Sequence, residues 1–315
     1  MYSIVLVGCG GFGIIHFESL LRISMNLEIF VVDKLDESLN KAKFLYKKHN
    51  FKNKVQFKKN LHGLPKNIDV VILATDAKQR PLIFEKISQN NEVSYWIMEK
   101  LLTQSNHGLD LILKNIKNSN NIWVNYVRRT MKIHKLLKKK FINNGILNVE
   151  VNGGLWNMAS NSIHFIDLVS FWTNEHVSSI DTSLLNKDWL KSRRDNFFEI
   201  QGKLYIIYNK GTKLTLNCES KSKELEIKVE NSEDQWEIKE FFSESESNLG
   251  WDSIAKSKKG SLISGLFDKQ LTTTANSIES ILTNGKCDLP NINETIVNHR
   301  EYIGCMLKFW NLNDS

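Results

Sequence analysis

The chain has 315 residues, enough to bury a substantial core and to divide into two domains. Its content of 41% hydrophobic and 24% charged residues excludes a disordered or fibrous class, and a net charge of +7 on scattered lysines is too diffuse for a nucleic-acid recognition module. The short clusters Lys138-Lys139-Lys140 and Lys256, Lys258 and Lys259 read either as solvated surface or as attraction for an anionic substrate or cofactor. Cys9, Cys218, Cys287 and Cys305 lack CxxC spacing, and no cluster of His, Cys and carboxylates marks a metal centre. The sequence enters a strand at once, leaving no room for a signal peptide, and no apolar run reaches the roughly 18 residues of a membrane span. The expectation is a cytoplasmic protein without metal, membrane or nucleic-acid partner.

In chain order, Ser3-Ile4-Val5-Leu6-Val7 reads as a buried strand running into Gly8-Cys9-Gly10-Gly11-Phe12-Gly13 and then a helix over Ile14 to Leu21. A glycine turn between strand and helix lets a dinucleotide pyrophosphate approach the N–H groups at the helix N-terminus. The second strand, Leu27 to Val32, ends at Asp33, about 20 residues beyond the last glycine, where an acid is needed for the adenosine ribose. Alternation continues with a helix over Ser38 to Lys48, a short strand at Val55 to Phe57, and an apolar strand over Asp69 to Ala74 that ends at Thr75-Asp76. A helix near Pro81, the strand Tyr95 to Met98 closed by Glu99-Lys100, a helix over Ser105 to Asn115 and the strand Ile122 to Tyr126 complete the first part.

Beyond residue 130 the rhythm changes. Helices are expected over Met131 to Phe141 and Asn161 to Trp172, on either side of a strand over Leu147 to Val151 that enters Asn152-Gly153-Gly154. Strands follow at Phe197 to Ile200, Lys203 to Tyr208, Thr212 to Cys218, Glu224 to Val229 and Gln235 to Glu240, joined by turns such as Asn209-Lys210-Gly211. Tight turns between successive strands favour an antiparallel sheet. Ser243 to Gly250 reads as a polar mobile loop, and helices close the chain over Leu271 to Leu282 and Glu294 to Phe309.

Two groups of residues are candidates for chemistry. Glu99-Lys100 lies at a strand end where the nicotinamide of a bound cofactor belongs. A lysine there can exchange the proton of a carbinol as hydride moves, its pKa lowered by burial; the other reading is an ordinary surface pair. His164 and Asp167 share one helical face, so the imidazole can relay a proton or bind a hydroxyl, unless it is a satisfied core histidine among Ile163, Phe165, Ile166 and Leu168. No nucleophile elbow supports a hydrolase.

Taken together, the Gly8–Gly13 fingerprint, Ala74-Thr75, Glu99-Lys100, Gly153-Gly154, His164-Phe165-Ile166-Asp167 and, near the end, Leu289-Pro290 with Asn298-His299-Arg300 resemble the Gfo/Idh/MocA oxidoreductases over nearly the whole chain. The resemblance implies an α/β Rossmann domain over 1–121. It implies a substrate-binding and oligomerisation α+β domain over 122–315 with a large, predominantly antiparallel open-faced sheet, the C-terminal helix packing back on the first domain. It further implies hydride transfer with NAD or NADP on a sugar-like substrate, such as a nucleotide sugar, sugar phosphate or sugar acid, and a homodimer or homotetramer. Lys100 matches the family's proton donor or acceptor, and His164 the histidine beside the reacting hydroxyl. The cofactor-side set is Gly8, Gly10, Gly11, Phe12, Gly13, Asp33, Lys34, Thr75, Glu99 and Lys100. The substrate-side set is Arg128, Asn157, Ser160, Asn161, His164 and Asp167.

The departures are specific. Ser160, followed by Asn161, stands where the family commonly has an aspartate, and a hydroxyl cannot give an imidazole anionic support. Leu101 replaces the proline after Lys100. Arg80 stands where histidine is frequent, and it either reaches a phosphate or carboxylate or points to solvent from a helix. Asp33 repels a 2′-phosphate and favours NAD; the adjacent Lys34 offsets some of that repulsion and keeps NADP open. Arg128 or Arg129 either binds an anionic substrate or forms an interdomain salt bridge. The alternative function is a cofactor-binding regulatory or scaffold protein of the same fold without dehydrogenase turnover, motivated by Ser160.

Overall fold

The computed structural model describes residues 1–49, 52–142, 144–192, 197–221, 223–243 and 249–313. The first elements are β1 (Tyr2–Val7), α1 (Gly11–Leu21), β2 (Leu27–Val32), α2 (Asp36–His49), β3 (Lys54–Lys58), β4 (Asn67–Leu73), α3 (Arg80–Asn90), β5 (Glu92–Met98), α4 (Asn106–Lys114) and β6 (Ile122–Val124). They form a six-stranded sheet in the order β3-β2-β1-β4-β5-β6, parallel throughout. A parallel sheet covered on both faces needs continuous apolar strands, and Ile4, Val5, Leu6 and Val7 in β1 are buried without alternation. Strand order reverses between β1 and β4, opening a crevice beyond their carboxyl ends, into which β1 delivers the glycine turn.

The second group comprises α5 (Lys132–Phe141), β7 (Asn148–Gly154), α6 (Met158–Thr173), β8 (Val177–Leu185), β9 (Leu190–Lys191), β10 (Phe198–Glu199), β11 (Gly202–Tyr208), β12 (Lys213–Glu219), β13 (Lys223–Glu230), β14 (Gln235–Ser243), β15 (Gly250–Ser257) and β16 (Leu262–Lys269). Eight of these strands make one sheet in the order β16-β15-β14-β13-β7-β12-β11-β8, and β9 pairs with β10 apart from it. The large sheet is mixed rather than purely antiparallel: β7 and β12 run parallel, Val149 beside Leu214 and Val151 beside Leu216. Its strands alternate, with Leu204, Ile206 and Tyr208 buried in β11 between more exposed neighbours, so one face is covered and the other open. Helix α6 packs on β12 and α5 on β15. Trp172 of α6 meets Phe141 of α5 edge-on at 5.2 Å, and Phe141 in turn meets Trp236 of β14.

The chain ends with α7 (Gln270–Asn284) and α8 (Ile292–Asn313). It divides into two compact units, Met1–Val127 with Lys269–Thr295, and Arg128–Asp268 with Ile296–Ser315. The first unit thus contains β6, which the sequence reading placed beyond its boundary at 121/122. The returning helix of that unit is α7, whereas almost all of the last helix, α8, belongs to the second. Ala275 of α7 donates its N–H to Ser19 Oγ of α1 at 3.1 Å, and Ile278 and Ile281 enter the core with Leu20 and Ile23. The polar stretch expected as a loop at Ser243 to Gly250 has residues 244–248 outside the described ones, and β14 and β15 extend to its two ends. Among the described residues, no helix is long and apolar enough to cross a membrane, and no group of three His, Cys, Asp or Glu side chains is placed to hold a metal.

Candidate functional site

In the first unit, the candidate residues gather at the carboxyl edge of the parallel sheet. Gly8 has φ +91, and a Cβ there would lie 2.8 Å from the Ala74 backbone. A Cβ on Gly13 would overlap the Gly8 carbonyl oxygen. These two glycines are therefore demanded by the packing of turn, helix and β4. Gly10 differs, because a Cβ there would meet nothing within 4 Å. It is the N-cap of α1, with no side-chain cap and no acidic residue in the first turn, so the N–H groups of Gly11, Phe12 and Gly13 head the helix. Phe12 is exposed.

Asp33 reaches back to this turn from the end of β2. Its Oδ2 accepts the Cys9 N–H at 2.7 Å and its Oδ1 the Leu35 N–H at 2.9 Å. Lys34 beside it is exposed. Burial, with help from the Asp33 charge, pushes the Cys9 thiol up to about 12, so this cysteine is an inert small residue of the turn. Past the end of β4, Thr75 Oγ1 is buried and has no hydrogen-bond partner among the described residues.

Arg80 corrects the expectation of a solvent-facing helix residue. It is buried, and its guanidinium donates to the Thr75 and Leu101 carbonyls, tying together the segments that follow β4 and β5. Glu99 is buried beside it. Its Oε1 accepts from Nε2 of His16 at 2.9 Å and from the Asn125 amide, while Nδ1 of His16 lies 2.8 Å from Thr274 Oγ1. Burial pushes the Glu99 carboxyl up, but His16, Asn125 and Arg80 outweigh it and hold the group below its ordinary range. Lys100 follows, half-buried, its peptide bond to Leu101 cis.

In the second unit, the substrate-side candidates lie on α6 and the turn after Val127. Asn157 caps α6 with φ +57, Ser160 donates its hydroxyl to the Asn157 carbonyl at 3.3 Å, and Asn161 donates to the Trp156 carbonyl at 2.9 Å. The Ser160 N–H donates to Glu199 Oε2 at 3.3 Å, which puts a buried carboxylate at the N-terminal end of this helix. His164 is buried one turn further on. Asp167 is gripped by Arg129 through Nε and Nη2, both at 2.7 Å, a bidentate pair that occupies the two oxygens.

Arg128 is held within its own unit. It pairs with Glu240 at 3.0 Å and lies over the Phe165 ring, its guanidinium carbon 4.3 Å from the centroid. Glu240 also accepts from His134 Nε2 at 2.6 Å. Burial raises the Glu240 carboxyl, yet Arg128 and His134 prevail and lower it to about 2. Arg128 thus has a buried carboxylate partner inside its own unit, which neither of its two sequence readings, an anionic substrate or an interdomain pair, had named.

Sequence reasoning missed His16, Thr274, Glu199 and Glu240. His16 and Ser19 carried a signal, two polar residues three apart on a helix whose remaining side chains, Glu18 aside, are apolar. The partners of Glu199 and Glu240 lie too far along the chain for any local pattern.

No family model matches this chain, and no curated protein matches it by sequence. Solved structures do. The UDP-N-acetylglucosamine 3-dehydrogenase of Acidithiobacillus ferrooxidans superimposes with a TM-score of 0.69 at 12% identity, covering 98% of this chain and 96% of that one. A myo-inositol dehydrogenase from Lactobacillus casei, solved with NAD(H) and myo-inositol, gives 0.65 at 14% identity over 96% and 92% of the two chains. An oxidoreductase from Agrobacterium radiobacter, solved with NAD+, L-tartaric acid and magnesium, gives 0.68 at 12% over 97% and 99%. Likeness at such identities establishes the fold: the parallel Rossmann unit and the large, mostly antiparallel mixed sheet are the two-domain architecture of the Gfo/Idh/MocA oxidoreductases.

Proposed function

We propose that the chain is a Gfo/Idh/MocA-family oxidoreductase that uses NAD to move a hydride to or from a secondary alcohol or ketone of a sugar-like substrate. The supporting observation is the carboxyl edge of the first sheet. There the uncapped α1 N-terminus, the open side of Gly10, Asp33, the orphaned Thr75 hydroxyl and Glu99-Lys100 come from successive strand ends. These residues fit a dinucleotide. The N–H groups of α1 suit the pyrophosphate, Gly10 leaves room for it, and the buried Thr75 oxygen needs a partner. Asp33 suits a ribose diol and disfavours a 2′-phosphate, so NAD is preferred and NADP comes second.

When bound, NAD supplies the hydride acceptor. Lys100 holds the proton: its neutral amine takes the carbinol proton as the C–H hydride leaves, and its ammonium returns it to the ketone oxygen in reverse. His164 assists at the substrate hydroxyl, with Asn157, Ser160 and Asn161 as further polar contacts. Asp167, fixed by Arg129, supports the helix that carries His164. That proteins sharing this fold include a UDP-N-acetylglucosamine dehydrogenase and a myo-inositol dehydrogenase supports a polyol or nucleotide-sugar class. Exposed Ile207 and Leu184, on the open face of the second sheet, support a homodimer or homotetramer made through it.

The test is turnover of NAD with a panel of nucleotide sugars, sugar phosphates, sugar acids and inositols, using the wild type and Lys100→Met. We expect the variant to lose about 10²-fold or more in kcat while binding NADH within about threefold of wild type. NADH binding by the wild type with no turnover of any panel member would favour the regulatory or scaffold reading.

A further inference from the structure

Glu99 is anchored from other elements on a single oxygen. Oε1 takes both hydrogen bonds, from His16 of α1 and from Asn125 just past β6, and His16 is braced from behind by Thr274 of α7. The side chains of His16 and Glu99 are only 5% and 11% exposed. Arg80 also faces the carboxylate, with a permanent charge, and Lys100 is the next residue in the chain. An ionised carboxylate has no proton to give, so Nε2 of His16 must carry the proton of its bond to Glu99. In the neutral ring Nδ1 is then left to accept the Thr274 hydroxyl.

His16 lies three residues beyond Gly13, one turn along the same helix whose N-terminus is the candidate phosphate site. A helix moves as a unit, so any adjustment of α1 when its N–H groups engage an anion reaches His16 and, through a 2.9 Å bond, Glu99. Two bonds on one oxygen leave the carboxylate with Asn125 alone when His16 is removed.

We propose that His16, held as the Nε2–H tautomer and braced by Thr274, is a positioning residue that couples occupancy of the α1 N-terminus to the placement of the Glu99–Lys100 segment. The proposal rests on the NAD-dependent reading above, but its signature is spectroscopic and needs no substrate. Long-range ¹H–¹⁵N spectra of the His16 ring, assigned with His16→Gln, report the tautomer. Backbone amide spectra report Lys100 as NADH is added.

In the wild type the ring is expected as Nε2–H, and NADH should shift the His16 and Lys100 resonances together. His16→Ala should bind NADH within about threefold of wild type yet lose about half or more of the Lys100 response, and His16→Gln, which keeps one donor for Glu99, should restore part of it. Thr274→Val removes the brace without uncovering a charge, so it carries the test if His16→Ala does not fold, and a weakened Lys100 response is expected. An Nδ1–H ring, or a Lys100 response undiminished in folded variants that bind NADH, would overturn the coupling alone. A wild type that does not bind NADH would overturn the cofactor reading, and with it the coupling, whatever tautomer is seen.

Discussion

At the scale of single residues, the glycine turn separates two requirements that its sequence pattern merges. Gly13 is needed because the helix and turn approach too closely for a Cβ, whereas Gly10 faces open space. The two alanine variants should therefore behave differently. Gly13→Ala forces backbone apart and is expected to cost about 1–3 kcal/mol of stability. Gly10→Ala should leave stability within about 0.5 kcal/mol, while its new methyl crowds the approach of the pyrophosphate and weakens NADH binding by about tenfold. Urea unfolding midpoints and NADH titrations check the pair, and equal loss of stability in both would mean that Gly10 also packs against the chain. This part of the site was legible because it is local: Asp33 meets Cys9 only 24 residues away. The His16–Thr274 contact spans 258 residues. Nothing in either local sequence signals the other, since the pairing exists only because α7 returns to α1.

At the scale of elements, polarity misled the sequence reading toward the edges of the large sheet. The strands missed were β8, β9, β15 and β16; β8 and β16 are the two edges of the large sheet, and the two-residue β9 pairs with β10 apart from it. Edge strands have one unpaired side and tolerate polar residues, so Val177–Leu185 buries only its two ends and Leu262–Lys269 buries no residue fully. The central strands, by contrast, announced themselves through alternation that the fold preserves. β14 also carries a feature no periodicity reveals, the buried carboxylate of Glu240 between Arg128 and His134. Its folded pKa is depressed from 4.5 to about 2, so its stabilisation is complete above 4.5 and is lost as pH falls toward 2. A shift of this size corresponds to about 3 kcal/mol. Glu240→Gln should be less stable than wild type near neutrality, because it strips the anion from a buried guanidinium. The gap should narrow by about 3 kcal/mol between pH 5 and 2, since the two proteins differ there only in the titration of Glu240. Denaturant unfolding across that range measures it, and a constant gap would show that Glu240 keeps an ordinary pKa.

At the scale of the whole chain, sequence order and spatial order part company at the C-terminal end. The alternating first 127 residues look self-sufficient, but the unit they build is closed by residues 269–295. Ile278, Ile281 and Leu289 are buried in the same core as Ile4, Phe17 and Ile72. The closing segment also supplies the Pro290 carbonyl that accepts the Val124 N–H at 3.0 Å, and Asn291, which bridges to Trp123. Three aliphatic side chains buried at about 1.5–3 kcal/mol each represent several kcal/mol, comparable with the roughly 5–15 kcal/mol that holds a whole domain. A fragment of residues 1–127 is therefore expected to be largely unfolded or molten, with ANS bound to the exposed apolar faces of α1 and β1. A peptide of residues 269–295 added in trans should restore cooperative unfolding and reduce ANS binding. The same peptide with Ile278→Asp and Ile281→Asp should not, because each carboxylate would have to enter the core without a partner. Cooperative unfolding of residues 1–127 alone, at a midpoint unmoved by the peptide, would show that the Rossmann unit is complete before the chain leaves it, and that α7 is an appendage rather than its closing element.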